Sequence, residues 1–174
     1  MTFSLYDATI PTYRQILGAI ARLLDKAEAF AAANQIGESE ILDARLAPDM
    51  LPFAYQVKST AVHSIGAIEG VRRGVFSPDL TPPPATFGAL KDRVSQTIEA
   101  VDAITPEEVN GFIGKDMIFL FNDRRLEFTG AEAFLMSFSI PNFLFHATTA
   151  YDLLRLKGMD LGKRDFMGRL AIKR

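Results

Sequence analysis

Apolar side chains return every three or four positions along most of this chain, which predicts amphipathic helices. The first is marked by Ile10, Tyr13, Leu17, Ile20 and Leu24 within Leu5 to Ala33. Pro11 lies in its first turns, so regular helix is expected to begin near that proline rather than at Ser4. Asn34 and Gly37 supply a stop, and Glu38 to Arg45 has the length of one or two bridging turns. A second helix is expected from Pro48 to Arg73, with Met50, Ala54, Val57, Ala61, Ile65 and Ile68 as its stripe and Gly70 and Gly74 at its end. Its prolines fall in the first turn, where a missing amide costs little. Asp49, Gln56 and His63 recur every seven residues and form a polar row beside that stripe.

The segment SPDLTPPPAT reads as a stiff, partly polyproline connection. Thr86 is placed to cap a third helix reaching Ala103, with Phe87, Leu90, Val94, Ile98 and Val101 inward. Thr105 to Glu108 is a capping-box pattern cut short by Asn110 and Gly111. Met117 to Phe121 and Leu126 to Phe128 then flank NDRR, which predicts a β-hairpin. Two strands are marginal alone, so the hairpin must lie on helices or pair with another chain. A second capping box, Thr129 to Glu132, opens a fourth helix that ends at Lys157 and Gly158. Pro141 falls inside it and predicts a kink. The tail from Met159 to Arg174 mixes charged and apolar residues and is expected to pack as a short final segment.

Four long helices with mostly short connections argue for an all-α fold: an antiparallel four-helix bundle with a small hairpin before the last long helix. The 174 residues suit one domain spanning 1–174, and 48% apolar content supplies its core. With 19 basic and 21 acidic residues the net charge is -2, which gives no field to attract nucleic acid. Cysteine is absent, which removes disulfides, thiolate metal sites and thiol nucleophiles together. No apolar run reaches the length of about 18 residues that a membrane span needs, and the first residues lack the basic and apolar regions of a signal peptide. A cytoplasmic location and no membrane partner are the expectation.

Histidine occurs twice, as His63 and His146, each in an expected core helix. Asn142 lies one turn before His146, so both side chains share a helix face. Imidazole is the commonest neutral metal ligand and the natural proton carrier near neutral pH. A site of His63, His146 and Asn142 is therefore one reading, with Asp49 or Asp152 as an alternative carboxylate. The other is that each histidine makes one hydrogen bond inside the core and nothing more. Phe134, Phe138, Phe143 and Phe145 are either core or the lining of an apolar pocket, for which Phe138, Phe145 and Gln56 are the candidates. Lys157, Lys163 and Arg164 are either an anion site or a solvated charged end. Glycine-rich phosphate loops, nucleophile elbows and HExxH motifs are missing.

RLAPDMLPFAYQVKSTAVHS and IPNFLFHATTAYDLLRLKGMDLGKRDF together resemble an uncharacterised branch of the DinB/YfiT-like superfamily. The resemblance implies an up-down-down-up bundle, a hairpin before the last helix and assembly as a homodimer. It also implies a divalent metal held by one histidine on the second helix and an H-x-x-x-H pair on the fourth, in some members for thiol transfer. His63 stands at the first of these positions and His146 at the last, while Asn142 replaces the remaining histidine. In a register shifted by one turn, His146 is the first of the pair and Ala150 replaces the second. Three functions follow: a weak or altered metal-dependent enzyme with Zn, Ni or Mn between His63 and His146; a metal-free module for a small apolar ligand; or a homodimeric interaction module without catalysis. No catalytic residue is assigned.

Overall fold

The structure is a computed structural model that describes residues 3–173. It is mostly helical, with one small three-stranded sheet. Helix α1 (Leu5–Asn34) begins before Pro11, not at it. Its first turn is fixed by a reciprocal cap: the Ser4 hydroxyl accepts from the Asp7 amide at 3.2 Å, and the Asp7 carboxylate accepts from the Ser4 amide at 3.1 Å. With that turn held, the proline costs only the bond to the carbonyl of Asp7, an exposed residue. Gln35 ends the helix in the left-handed region, φ 55°.

After α2 (Glu38–Leu42) and a stretch of turns come α3 (Phe53–Val62) and α4 (Ile65–Arg73). These two stand where one continuous helix from Pro48 was expected. The break falls on His63 and Ser64, whose φ and ψ are -113° and -91°. Two hydroxyls compensate for it: Ser64 donates to the Thr60 carbonyl at 2.6 Å, and Ser139 to the His63 carbonyl at 2.6 Å.

Strand β1 (Val75–Phe76), the proline-rich loop, α5 (Phe87–Asp102) and α6 (Pro106–Asn110) follow. Thr86 caps α5 through the Ala89 amide as expected. Thr105 caps α6, but Glu108 does not return the bond; its carboxylate pairs with Arg72 at 2.7 Å. Strands β2 (Met117–Phe121) and β3 (Arg124–Phe128) form the expected hairpin, closed by Asn122 and Asp123, with Asn122 at φ 51°. Half of NDRR is therefore strand rather than loop. The hairpin is stabilised by β1, which pairs in parallel with β2.

Next are α7 (Ala131–Phe134), a π-helical turn (Leu135–Ser139) and α8 (Ile140–Leu156). The capping box expected at Thr129 does not form: Gly130 is the cap, and Glu132 accepts from the Gly114 amide at 2.9 Å. Pro141 follows a wide turn, in which the Ile140 amide reaches back five residues to the Leu135 carbonyl. Gly158 follows α8 at φ 87°, the expected left-handed stop. The tail forms α9 (Lys163–Met167), tied to α1 by Lys26 and Asp165 at 2.6 Å. Arg174 lies outside the described residues.

Helix α1 packs on α5 and α8, while α3 packs on α8 and α5. Tyr13, Leu17, Phe53, Val57, Leu90, Val94, Phe143 and Leu153 meet between them. Tyr13 and Phe143 make an edge-to-face pair at 5.0 Å.

Candidate functional site

Helices α3 and α8 bring the two histidines together. Their ring centres are 5.4 Å apart and their planes differ by 16°. With metal–nitrogen bonds of about 2.0 Å, two imidazoles on one tetrahedral ion hold their centres about 5 Å apart, so the spacing is suitable for shared ligation.

Gln56 fixes the chemistry of His146. Its Nε2 donates to the Leu51 carbonyl at 2.7 Å, which turns Oε1 toward His146 Nδ1, also at 2.7 Å. A carbonyl oxygen only accepts, so Nδ1 carries the proton and Nε2 keeps its lone pair. On His63 the buried Nδ1 has no hydrogen-bond partner among the described residues. Burial, and secondarily the neighbouring His146, lowers the His63 pKa to about 3. Burial lowers that of His146 to about 4. Both rings are neutral at pH 7, the form that ligates metals.

Asn142 does not complete a set of imidazoles. Its Nδ2 donates to the Phe138 carbonyl one turn back at 2.7 Å, leaving Oδ1 as its electron-pair donor. Among the described residues no group of three or more His, Cys, Asp or Glu gathers in a metal-binding arrangement, so neither Asp49 nor Asp152 joins the histidines. The two rings are spaced as shared ligation requires, and among the described residues no strong third protein ligand stands with them.

The phenylalanines divide. Phe134 and Phe143 are core. Phe138 packs 5.7 Å from the His63 ring and Phe145 lies 5.4 Å from that of His146. Gln56, Phe138 and Phe145 therefore surround the histidine pair, with Phe145 reaching out to 55% exposure. Phe145 also lines an open apolar groove of about 690 Å³ with Leu46, Met50 and Leu144. Lys157, Lys163 and Arg164 are exposed.

Three further side chains, Tyr13, Ser139 and Lys58, carried no site role from sequence, Tyr13 standing only in the first apolar stripe. Tyr13, wholly buried, shares a 2.8 Å hydrogen bond with Ser139, which in turn holds the His63 carbonyl. Ser139 gives its only proton to that carbonyl, so Tyr13 is the donor to Ser139. Lys58, 1% exposed, reaches out of α3 to the Asp79 carboxylate at 3.0 Å and to the Asp79 carbonyl at 2.9 Å. The signal for Lys58 was present: it is four residues after Ala54 and three before Ala61, on the apolar stripe itself.

The family model described as "Domain of unknown function (DUF1993)" matches residues 5–167. The chain belongs to the DUF1993 family. Among solved structures, the DUF1993 chain is similar to a DinB family member protein from Shewanella denitrificans, with a TM-score of 0.80 and 24% identity over 98% of this chain and 95% of that one. That likeness shows a DinB-like fold for DUF1993, in agreement with the resemblance in the α3 and α8 segments. No curated protein is significantly similar to the chain. No described helix of this DUF1993 protein is long and apolar enough to cross a membrane.

Proposed function

We propose that His63 and His146 together hold one divalent transition-metal ion, with its remaining positions left to Asn142 Oδ1 and to exogenous ligands. The reading includes the finer architecture: α1, the α3–α4 pair, α5 and α8 as the four antiparallel helices of a DinB-type bundle, with the site between the second and fourth. The observation that carries it is the Gln56 bond to His146 Nδ1, which supports a ligating histidine in the way outer-shell carbonyls do in metal sites. When bound, the ion would supply Lewis acidity and a lowered pKa for a bound water or thiol. The chain's own part is to keep two imidazoles neutral, to fix the His146 tautomer, and to border the site with Phe138 and Phe145. With two nitrogen ligands the affinity falls well short of the roughly 10–16 kcal/mol of structural zinc sites.

The test is calorimetric titration of Zn, Ni and Mn into tag-free protein. One site that disappears in His63→Ala and in His146→Ala supports the reading; no heat and no thermal shift with any of the three ions defeats it.

A second reading is metal-free, favoured by the turn of the Asn142 amide toward its own helix. In it the apolar groove beside Phe145 takes a small apolar molecule or is buried in a homodimer. Ligand-induced stabilisation that survives EDTA and His63→Ala would favour the former. Dimer sedimentation at micromolar concentration would favour the latter.

A further inference from the structure

A cleft of about 380 Å³ opens between the end of α3, α4, β1, the proline-rich loop and α5, and it borders the histidine pair through Phe76, whose ring centre is 5.6 Å from that of His63. Ala61, Val62 and Phe76 give it an apolar lining, and Arg73, Arg93 and Glu69 stand around it. Its volume lies in the range of roughly 300–1,000 Å³ usual for small-molecule sites.

The charges are unequal. Arg93 Nη2 contacts Asp79 Oδ2 at 3.3 Å, while Lys58 Nζ, the Thr81 amide and the Thr81 hydroxyl hold Asp79 Oδ1 at 3.0, 2.9 and 2.6 Å. The Asp79 charge is thus taken up by its own donors. The lining itself carries Arg73 and Arg93 against Glu69 and Asp79; because Lys58, buried outside the lining, pairs with Asp79, one positive charge is left over. One donor also remains unused: Arg93 Nε–H is buried without a hydrogen-bond partner among the described residues. A buried donor of this kind costs stability until an acceptor reaches it. A carboxylate suits it, being planar, anionic and able to accept from the edge of a guanidinium.

We propose that this cleft binds a small monocarboxylic acid, its carboxylate on Arg93 Nε and Arg73 and its compact apolar body against Val62 and Phe76. Glu69 at the same rim disfavours ligands with a second negative charge. The apolar lining disfavours bare inorganic anions.

Benzoate and hexanoate are titrated into the full chain by calorimetry with EDTA present, so that the result is independent of any metal at the histidines. Benzyl alcohol and inorganic phosphate at matched ionic strength are the controls. One saturable site for at least one carboxylate is expected, with both controls at least about tenfold weaker. Arg73→Gln changes an exposed residue at the end of α4 and leaves the core intact; it is expected to weaken carboxylate binding about tenfold or more. Arg93→Gln is expected to abolish it, with the melting temperature recorded because Asp79 loses a partner. The proposal is overturned if neither acid saturates below about 10 mM. It is also overturned if phosphate or benzyl alcohol binds equally well, or if folded Arg73→Gln binds as the parent does.

Discussion

The Ser139 hydroxyl donates to the His63 carbonyl at 2.6 Å, joining positions 76 residues apart in the chain. That bond connects two interruptions of regular helix, the break after α3 and the wide turn before α8. Tyr13 completes it from α1, its phenol pushed far above the usual pKa by burial, which keeps it a neutral donor. Ser139→Ala strips a donor from the His63 carbonyl and an acceptor from Tyr13, and it should cost about 1–3 kcal/mol. Tyr13→Phe leaves the Ser139 bond to His63 intact, so its hydrogen-bond loss should be only about 0.5–1.5 kcal/mol. Urea unfolding of the two variants measures the difference; equal costs would mean that Ser139 does not hold the break.

The pH dependence of stability has a defined sign. Both histidines have folded pKa values, about 3 and about 4, below the 6.5 of the free side chain. The unfolded chain therefore binds more protons in this range, and the stability present above pH 6.5 is lost as pH falls toward 4 and then 3. Asp79, where burial works upward but the Thr81 bonds and Lys58 bring the pKa down to about 2, acts only below about pH 4. Between pH 6.5 and pH 5 the two histidines should account for a loss of roughly 1–2 kcal/mol each. Unfolding free energies measured across that interval should show the decline, and His146→Gln should roughly halve its slope. A flat profile in the parent protein would contradict the burial of both rings.

Much of this was legible in the sequence, because helix period and capping are local. Thr86, Gly158 and the β2–β3 hairpin follow from residues within a few positions of one another. The pairing of His63 with His146 could be inferred because the pattern puts both beside apolar stripes expected to meet in one core. The α3 break was not legible: its hydrophobic stripe runs on in register, and the group that satisfies the exposed carbonyl, Ser139, comes from another helix. Glu108 and Glu132 stand three residues after a threonine, as a capping box requires, yet Arg72 and the Gly114 amide capture them. Strand β1 has two residues, too few to show any period.

Lys58 anchors the proline-rich loop. Lys58→Met should remove a buried cation from the Asp79 carboxylate and carbonyl while keeping the apolar stem of the side chain. The expected cost is about 3 kcal/mol, at the low end for a buried pair because Asp79 is 30% exposed. Asp79→Asn should cost less, since the Asp79 and Thr81 carbonyls still hold the ammonium. Chemical denaturation ranks the two. Amide exchange at Thr81, whose N–H is bonded to Asp79, should quicken in both.

Gln56 sets the tautomer of His146, and nitrogen chemical shifts of the imidazole report it directly. The parent protein should show His146 protonated on Nδ1. Gln56→Leu removes the accepting oxygen and should shift the population toward the Nε2–H form. If the ion proposed for this site is present, the same variant should weaken its binding about 10–100-fold. An Nε2–H tautomer in the parent would mean that Gln56 presents its other face.

Position 142 decides whether the histidine pair can be completed. Asn142 and His146 are one turn apart on α8, and the amide now donates to the Phe138 carbonyl. Asn142→His places a third imidazole on the helix face of His146, whose ring centre is already 5.4 Å from that of His63. Three imidazoles with an open position are a recurrent zinc set. Zinc affinity, measured by competition with a chelator, should therefore rise at least about tenfold over the parent, or more than 1.4 kcal/mol. The gain should vanish when His63→Ala is added, because the new nitrogen would then complete only a pair on one helix. An unchanged affinity in a folded Asn142→His protein would show that this face of α8 is turned away from the His63 ring, and would remove the metal reading along with it.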